Sequence, residues 1–565
     1  MRRPAPLLAA AGLTLLAACG ETTETPAAPP AGPTSRPAAA PEGTAPWFRE
    51  VAAEAGLPTS RDATKVEPRA IVEVKGGGFA LFDLDGDGDH DLYDPGQGSF
   101  DAPATPALFE NRSEPGAPTF VAVAPPAGAA PAWPMGLSAG DLDGDGHPDL
   151  VQAAHGPNAV LWNAPADGGR TLAVGAGTGL EHGGFGMATA LADLDGDGDL
   201  DVYLVNYLEL DLADLPADIE FLGEPIFAGP MGLTPEADAV FENRGDRTFQ
   251  DRTFRSGLGV APPAFGLGVT ALDLDVDGDL DLFVGNDSMR NFVYANEGGL
   301  RFVEQGTELG LGANGDGREQ ATMGIAATDL NGDGVADLFT TNFAADTNTL
   351  FGSRAGGGWR DRTAAMGLAA TGRAQVGWAS VFGDFDLDGD EDLVAVNGHV
   401  YPDRLALKLG SASAQPPLAW GREGKRFVAT QGEAPWTRGA FCGRGGARAD
   451  LDGDGDLDLV AGAWRGRLRL FEGLAADGGG RQLRVDLDRP GVGDRRGVGA
   501  RVELVTGEAA TVRWVQPTMG FQSSGTTAVF FPVPGAAASL RVTWPDGEVT
   551  EQAIGAGAER ATVTR

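Results

Sequence analysis

Along most of this chain, apolar residues come in runs of three to six, broken by Gly, Pro, Asn and Asp before a helical period can develop. One phrase recurs. It opens on an aromatic or apolar strand and a Gly-rich turn, at Phe48, Phe120, Leu172, Phe249, Phe302, Trp359 and Phe427. A strand of small residues follows, as in Gly186 to Leu191, and leads into a tight acidic run. Apolar runs such as Leu282-Phe283-Val284 and Leu459-Val460-Ala461 leave that run, and several units close on an apolar pair and Asn, at Asn111, Asn163, Asn243 and Asn296. The phrase predicts roughly four short strands per unit of about 40–60 residues, which is the size of a propeller blade. Blades packed around an axis bury faces that one blade alone leaves wet. The predicted fold is therefore all-β: a seven-bladed β-propeller over residues 47–475 and a small β-rich domain over 476–565. An open β-solenoid is the alternative, although its rungs are usually shorter.

The acidic runs carry the chemistry. Seven copies begin at Asp83, Asp141, Asp193, Asp273, Asp329, Asp384 and Asp450, spaced by 58, 52, 80, 56, 55 and 66 residues. In the first, Asp83, Asp85 and Asp87 hold positions 1, 3 and 5, Asp89 offers a backbone carbonyl at position 7, and Asp91 closes at position 9. The same positions fall on Asp141, Asp143, Asp145, His147 and Asp149, then on Asp193, Asp195, Asp197, Asp199 and Asp201. They recur at Asp273, Asp275, Asp277, Asp279 and Asp281, and at Asp329, Asn331, Asp333, Val335 and Asp337. The last two sets are Asp384, Asp386, Asp388, Asp390 and Asp392, and Asp450, Asp452, Asp454, Asp456 and Asp458. Ca²⁺ takes six to eight hard oxygens, and alternate residues of a curled loop supply them. An EF-hand would need a bidentate Glu at position 12 and a following helix. Position 12 is Asp94, Gln152, Leu204, Val284, Thr340, Ala395 and Ala461, and strands follow. The EF-hand is excluded, and up to seven structural Ca²⁺ ions are expected. Asn331 lowers the ligand charge of the fifth loop. If the runs only shaped Asp-Gly hairpins, their carboxylates would repel one another with nothing gained.

Charge adds an exclusion. The formal net charge is −38, and a nucleic-acid partner is not expected because a phosphate-binding face needs clustered Lys and Arg. The seven runs hold 33 of the 80 acidic residues, so the acidity is not a disordered tail. Seven Ca²⁺ would bring −38 to about −24. At the N-terminus, Arg2 and Arg3 precede an apolar stretch from Leu7 to Ala18, which reads as a secretory signal over 1–18. Leu16-Ala17-Ala18-Cys19 resembles a bacterial lipobox, implying lipidation of Cys19; an ordinary signal peptide is the alternative. Residues 19–46 contain no large apolar side chain and are expected to be a Pro/Ala tether. Gly20, where many inner-membrane lipoproteins carry Asp, favours the outer membrane or cell surface, with membrane contact through the lipid alone. Cys442 is the other cysteine, so no intramolecular disulfide is expected, and a buried structural role suits it best.

The dipeptides Phe185-Gly186 and Phe265-Gly266, with Met135-Gly136, Met323-Gly324 and Gly377-Trp378 at matching places, resemble FG-GAP (VCBS) repeats. The calcium-loop blades of integrin α-subunit propellers are of this kind, and the resemblance implies loops on one rim, opposite or beside a partner-binding face. Gly497 to Leu504, Phe521-Gln522-Ser523 and Leu540 to Gly547 resemble the ASPIC/UnbV domain. This domain order is similar to that of bacterial relatives of cartilage acidic protein 1. The stretch Asn397 to Asp403 matches a recurring loop of that family, in which His399 and Tyr401 are candidate ligand contacts near the axis, or else simply pack between blades. The long spacing before the fourth run implies an insertion from Tyr207 to Asp238, read as a partner-binding loop or a lid. Relatives commonly carry cysteines near its Gly-Pro; Ala228 stands there, so that family disulfide is missing.

No H-E-x-x-H or P-loop occurs. The expected function is that of a monomeric, lipid-anchored, extracytoplasmic Ca²⁺-binding propeller that binds or adheres to a protein or glycan, with no catalytic residues. A polysaccharide lyase or hydrolase is the runner-up and an outer-membrane assembly scaffold the third reading. The enzyme would need a base and Arg/Lys clamps converging in one cleft.

Overall fold

The computed structural model describes residues 47–58, 67–128, 131–166, 169–354, 356–430, 436, 439–464 and 468–565. The expected signal peptide, Cys19 and the tether lie outside the described residues. The chain is almost entirely strand and turn, as predicted, and among the described residues no helix is long and apolar enough to cross a membrane.

Repeated four-stranded antiparallel sheets build the first part. Six of them run in chain order, with innermost strands Ala80–Phe82, Pro134–Gly140, Gly186–Ala192, Gly266–Leu272, Ile325–Thr328 and Gly377–Gly383. The seventh contributes only Gly443–Ala449, Asp458–Ala463 and Arg469–Gly473; its fourth strand is Phe48–Glu50, pairing Phe48 with Gly473. The aromatic strand at the head of each sequence phrase is thus the outermost strand of the preceding sheet. Phe302–Glu304 closes the fourth sheet, for example, not the fifth. The phase read from the sequence is shifted by one strand because a strand's partner is set by cross-strand pairing, which local spacing does not encode.

Apolar clusters fill the space between neighbouring sheets, and one of them joins the first sheet to the last through Phe79, Leu81, Phe109, Ala447, Val460 and Leu470. Asn111 Nδ2 also donates across this seam, to the Leu451 carbonyl at 2.8 Å. The Gly of the Phe-Gly and Met-Gly dipeptides sits where an innermost strand starts against its neighbour. A Cβ on Gly324 would lie 1.8 Å from the Trp378 carbonyl oxygen, so only Gly allows that approach. The paired Phe or Met joins a cluster around the axis that contains Met135, Phe185, Phe265, Met323 and Trp378.

The C-terminal part has its own core of Leu483, Val485, Val502, Leu540, Val542 and Trp544, between a three-stranded and a four-stranded sheet. A hairpin, Thr518–Met519 with Ser523–Ser524, leaves it and enters the ring. Ser524 pairs with Ala80 in the first sheet, and the Gln522 carbonyl accepts from Leu137 N in the second (3.1 Å). Gln522 Nε2 approaches Met187 Sδ of the third sheet (3.9 Å), and Gln516 Nε2 donates to Thr270 Oγ1 of the fourth (3.2 Å). The Gly520 carbonyl accepts from Ile325 N of the fifth (3.1 Å), Phe521 packs edge-on against Trp378 of the sixth (4.9 Å), and Arg448 N of the seventh meets Met519 Sδ (3.4 Å). All seven innermost strands grip this one segment.

The other end of the axis is closed by the insertion. Ile219–Phe221 and Glu224–Ile226 form a separate two-stranded hairpin, while Ile226 and Phe227 join the axial cluster beside Val400 and Leu405. Arg404 and Lys408 tie that hairpin down through Glu224.

Candidate functional site

Each acidic run makes the turn between the innermost strand of a sheet and the next strand, so all seven share one local fold. The position-9 carboxylate is its buried keystone. Asp91 Oδ2 accepts from Leu84 N and Oδ1 from Asn111 N, both at 2.8 Å. The same pair of bonds holds Asp149 (Leu142 and Asn163), Asp201 (Leu194 and Asn243) and Asp281 (Leu274 and Asn296). It holds Asp337 (Leu330 and Ser353), Asp392 (Phe385 and Arg422) and Asp458 (Leu451 and Gly473) as well. This residue therefore fastens its loop to the third strand of its own sheet, whatever else it binds.

Carboxylates converge where the sequence places them. In the first, second, fourth and sixth loops, oxygens of positions 1, 3 and 9 lie within 4.8 Å of one another: Asp83, Asp85 and Asp91; Asp141, Asp143 and Asp149; Asp273, Asp275 and Asp281; Asp384, Asp386 and Asp392. In the third loop the group is Asp193, Asp195 and Asp197. Position 5 otherwise accepts the backbone N–H of position 7, as Asp87 does from Asp89 (3.1 Å) and Asp333 from Val335 (3.0 Å). The second loop is partly engaged by cations, Asp143 by Arg247 and Asp145 by Arg170.

At positions 1 and 3 of the loops, three carboxylate oxygens, Asp141 Oδ1, Asp384 Oδ1 and Asp452 Oδ2, are buried with no hydrogen-bond partner. A buried acceptor left so costs about 1–3 kcal/mol, more when charged. Burial, and then neighbouring carboxylates, push Asp384 up to about 7 and Asp452 to about 7, and burial is also the main cause for Asp141 at about 7, Asp201 at about 8 and Asp392 at about 9. Hard oxygens converging in a tight loop, with orphaned acceptors among them, fit a divalent cation. The residues present in these loops fit a hard divalent cation such as Ca²⁺.

Sequence reasoning noted Asn111, Asn163, Asn243 and Asn296 only as punctuation. Their side chains bridge neighbouring units: Nδ2 of Asn163, Asn243 and Asn296 donates to the position-2 carbonyls of Leu84, Leu142 and Leu194, each at 2.9 Å. With Asn111 on the Leu451 carbonyl, four of the seven acidic loops are thereby clamped by the next sheet. A recurrent Asn one strand beyond the acidic run was the available signal.

The C-terminal cap lies on the same loops. Arg484 Nη2 donates to the Gly88 carbonyl (3.0 Å), Asp494 N to Gly198 O (2.9 Å), Gln482 N to Gly455 O (2.9 Å), and Gln482 Nε2 to Asp384 O (2.7 Å). Arg513 pairs with Glu391 at 2.5 Å, both nearly buried. Gly499 backs onto Leu280, and Arg501 reaches Gly334.

His399 is wholly buried, unlike an exposed ligand contact. Its Nδ1 accepts from Tyr401 N (3.1 Å), Phe343 packs against the ring, and burial lowers it to about 4, so it is neutral. Tyr401 is half-buried beneath Phe221 and Phe227 of the insertion. Tyr401 packs the insertion onto the ring, with the His399 ring behind it at 5.2 Å. Cys442 is a buried thiol whose Sγ lies 3.4 Å from the Ser413 carbonyl.

Residues 491–564 match the ASPIC and UnbV family, and residues 83–152, 141–204, 273–340 and 329–395 match the FG-GAP-like repeat. The chain is 26% identical over 379 residues to cartilage acidic protein 1 of Mus musculus, covering 65% of this chain and 53% of that protein. The Homo sapiens protein is 24% identical, with 66% and 52% covered. The chain thus spans about half the length of the curated relatives it matches. Among solved structures, an Agrocybe aegerita lectin that recognises non-reducing terminal N-acetylglucosamine aligns at TM-score 0.38 and 18% identity, over 64% of this chain and 84% of that one. An exotype rhamnogalacturonan lyase aligns at TM-score 0.28 and 13% identity, over 74% and 91%.

Proposed function

The chain is built of FG-GAP-like repeats, ends in an ASPIC and UnbV domain and is homologous to cartilage acidic protein 1, and from this we propose that it is an exported, Ca²⁺-stabilised binding protein without a reaction of its own. The observation that carries the metal is the set of buried, unpartnered oxygens on Asp141, Asp384 and Asp452 inside converging carboxylate loops. Ca²⁺ in each loop would cancel the mutual repulsion and fix the turn against the cap. Its role is structural.

Binding would take place on outer surfaces, since the axis is filled from one end by residues 516–526 and closed at the other by the insertion. A protein or glycan partner would meet the insertion, where Ile219, Phe221 and Leu222 stand exposed beside Leu407 and Leu409. A lipid on Cys19 would hold the protein at the outer membrane or cell surface, and Cys19→Ser would then release it from the membrane fraction.

Calorimetric unfolding tests the metal role. Millimolar Ca²⁺ is expected to raise Tm well above the value in EDTA; equal values in both would remove the structural role. A reducing-end assay across a glycan panel tests the absence of catalysis, because turnover of any glycan defeats the binding-only reading.

A further inference from the structure

The outer side of the ring carries a feature at odds with the charge of the chain. A groove of about 840 Å³ between the fifth and sixth sheets is lined by Arg354, Arg360, Arg362, Arg422 and Lys425. The net charge is −38, and many of the other arginines sit against carboxylates, as Arg469 does with Glu50 and Arg489 with Asp546. Among the described residues, none of these five cations has a carboxylate within 4 Å. The carboxylates that share the groove, Asp333, Asp337 and Asp390, belong to the two adjoining acidic loops. Arg422 donates only to backbone carbonyls, those of Gly424 (3.0 Å) and Leu330 (2.6 Å). Arg360 lies on the outermost strand of the fifth sheet, Trp359–Asp361, and Arg362 just past its end, and both line the groove.

The acidic loop of the fifth sheet is the one poorest in carboxylate. Asn331 and Val335 replace Asp there, and Asp333 Oδ2 is taken by Ser353 Oγ (2.9 Å). Leu330, Leu350 and Met366 add an apolar floor. The volume lies within the range of roughly 300–1,000 Å³ typical of small-ligand sites.

We propose that this groove binds an acidic polysaccharide, with uronate carboxylates on the guanidinium groups and sugar C–H faces on the apolar floor. Guanidinium forks bind carboxylates bidentately, and five unpaired like charges repel one another until an anion joins them. A planar membrane cannot enter a groove. The site is separate from the apolar tip of the insertion, so loss of either leaves the other testable.

The experiment is fluorescence anisotropy of labelled hexagalacturonate with the full exported chain in saturating Ca²⁺, against its methyl ester, a glutamate hexapeptide and anionic vesicles. Arg360→Gln/Arg362→Gln is compared with Arg290→Gln/Arg301→Gln, which changes net charge equally on another part of the surface. The expected result is binding of the free uronate but not the ester, weakened at least tenfold by the first pair and less than twofold by the second. Thermal midpoints of both variants are expected to match the parent, and Ile219→Ser/Leu222→Ser is expected to bind hexagalacturonate as the parent does. Absence of uronate binding, equal loss in both Arg pairs, or equal or tighter binding of the peptide or vesicles overturns the proposal.

Discussion

The smallest recurring device is a pair of side chains, the position-9 Asp and the Asn one strand beyond it. The Asp carboxylate gathers two backbone N–H groups within its sheet, and the Asn amide reaches into the preceding one. Asn163→Ala should cost about 1–3 kcal/mol, because it strands the Leu84 carbonyl in a buried place. Denaturant midpoints of the Ca²⁺-loaded protein check this, and Gln250→Ala on an exposed strand position serves as control. A second residue-scale expectation concerns pH. Asp238 is held by Asn206 N (2.9 Å) and Tyr203 Oη (2.7 Å), with Glu236 nearby, and burial pushes its carboxyl up to about 7. A folded-state pKa above the unfolded one means that stability is complete below about pH 4 and is lost as pH rises through about 7. Asp238→Asn should therefore raise Tm relative to the parent at pH 8 and bring little or no gain at pH 5. A gain of the same size at both pH values would contradict this assignment.

At the scale of elements, the acidic loops, the all-β class and the insertion were legible because their signals are local: alternate carboxylates, short apolar runs and an irregular spacing. The strand phase and the axial hairpin were not, because they depend on pairings such as Phe48 with Gly473 and Ala80 with Ser524, hundreds of residues apart. Glycines held a trace of the hairpin. A Cβ on Gly78 would lie 2.0 Å from the Gln522 carbonyl oxygen, and one on Gly520, at φ 62°, would lie 2.5 Å from that of Gly446. For His399 the sequence left ligand contact and packing open for a related reason, since its motif marks a loop but not Phe343, which packs on its ring. Phe48 packs on Phe385 (5.3 Å) and Trp436 (5.0 Å). Phe48→Ala should cost about 3–5 kcal/mol, far more than the exposed Phe254→Ala, as read by chemical denaturation.

For the whole molecule, cap and ring share their contacts so extensively that they should melt together. A single calorimetric transition is expected in Ca²⁺. Gly520→Val, which cannot seat the hairpin, should lower the midpoint of that transition and expose the axial cluster to a hydrophobic dye. Two separate transitions in the parent would show the cap to be an independent appendage. The seam between first and last sheets has a mechanical consequence. The first described strand, Phe48–Glu50, is also the one that completes the seventh sheet. Tension applied ahead of it would be delivered first to the Phe48–Gly473 pair, and peeling three residues would strip the seventh sheet of its fourth strand while the apolar seam and the Asn111–Leu451 bond still join it to the first. Where such a load first acts is thus fixed by the place at which the first strand joins the last sheet.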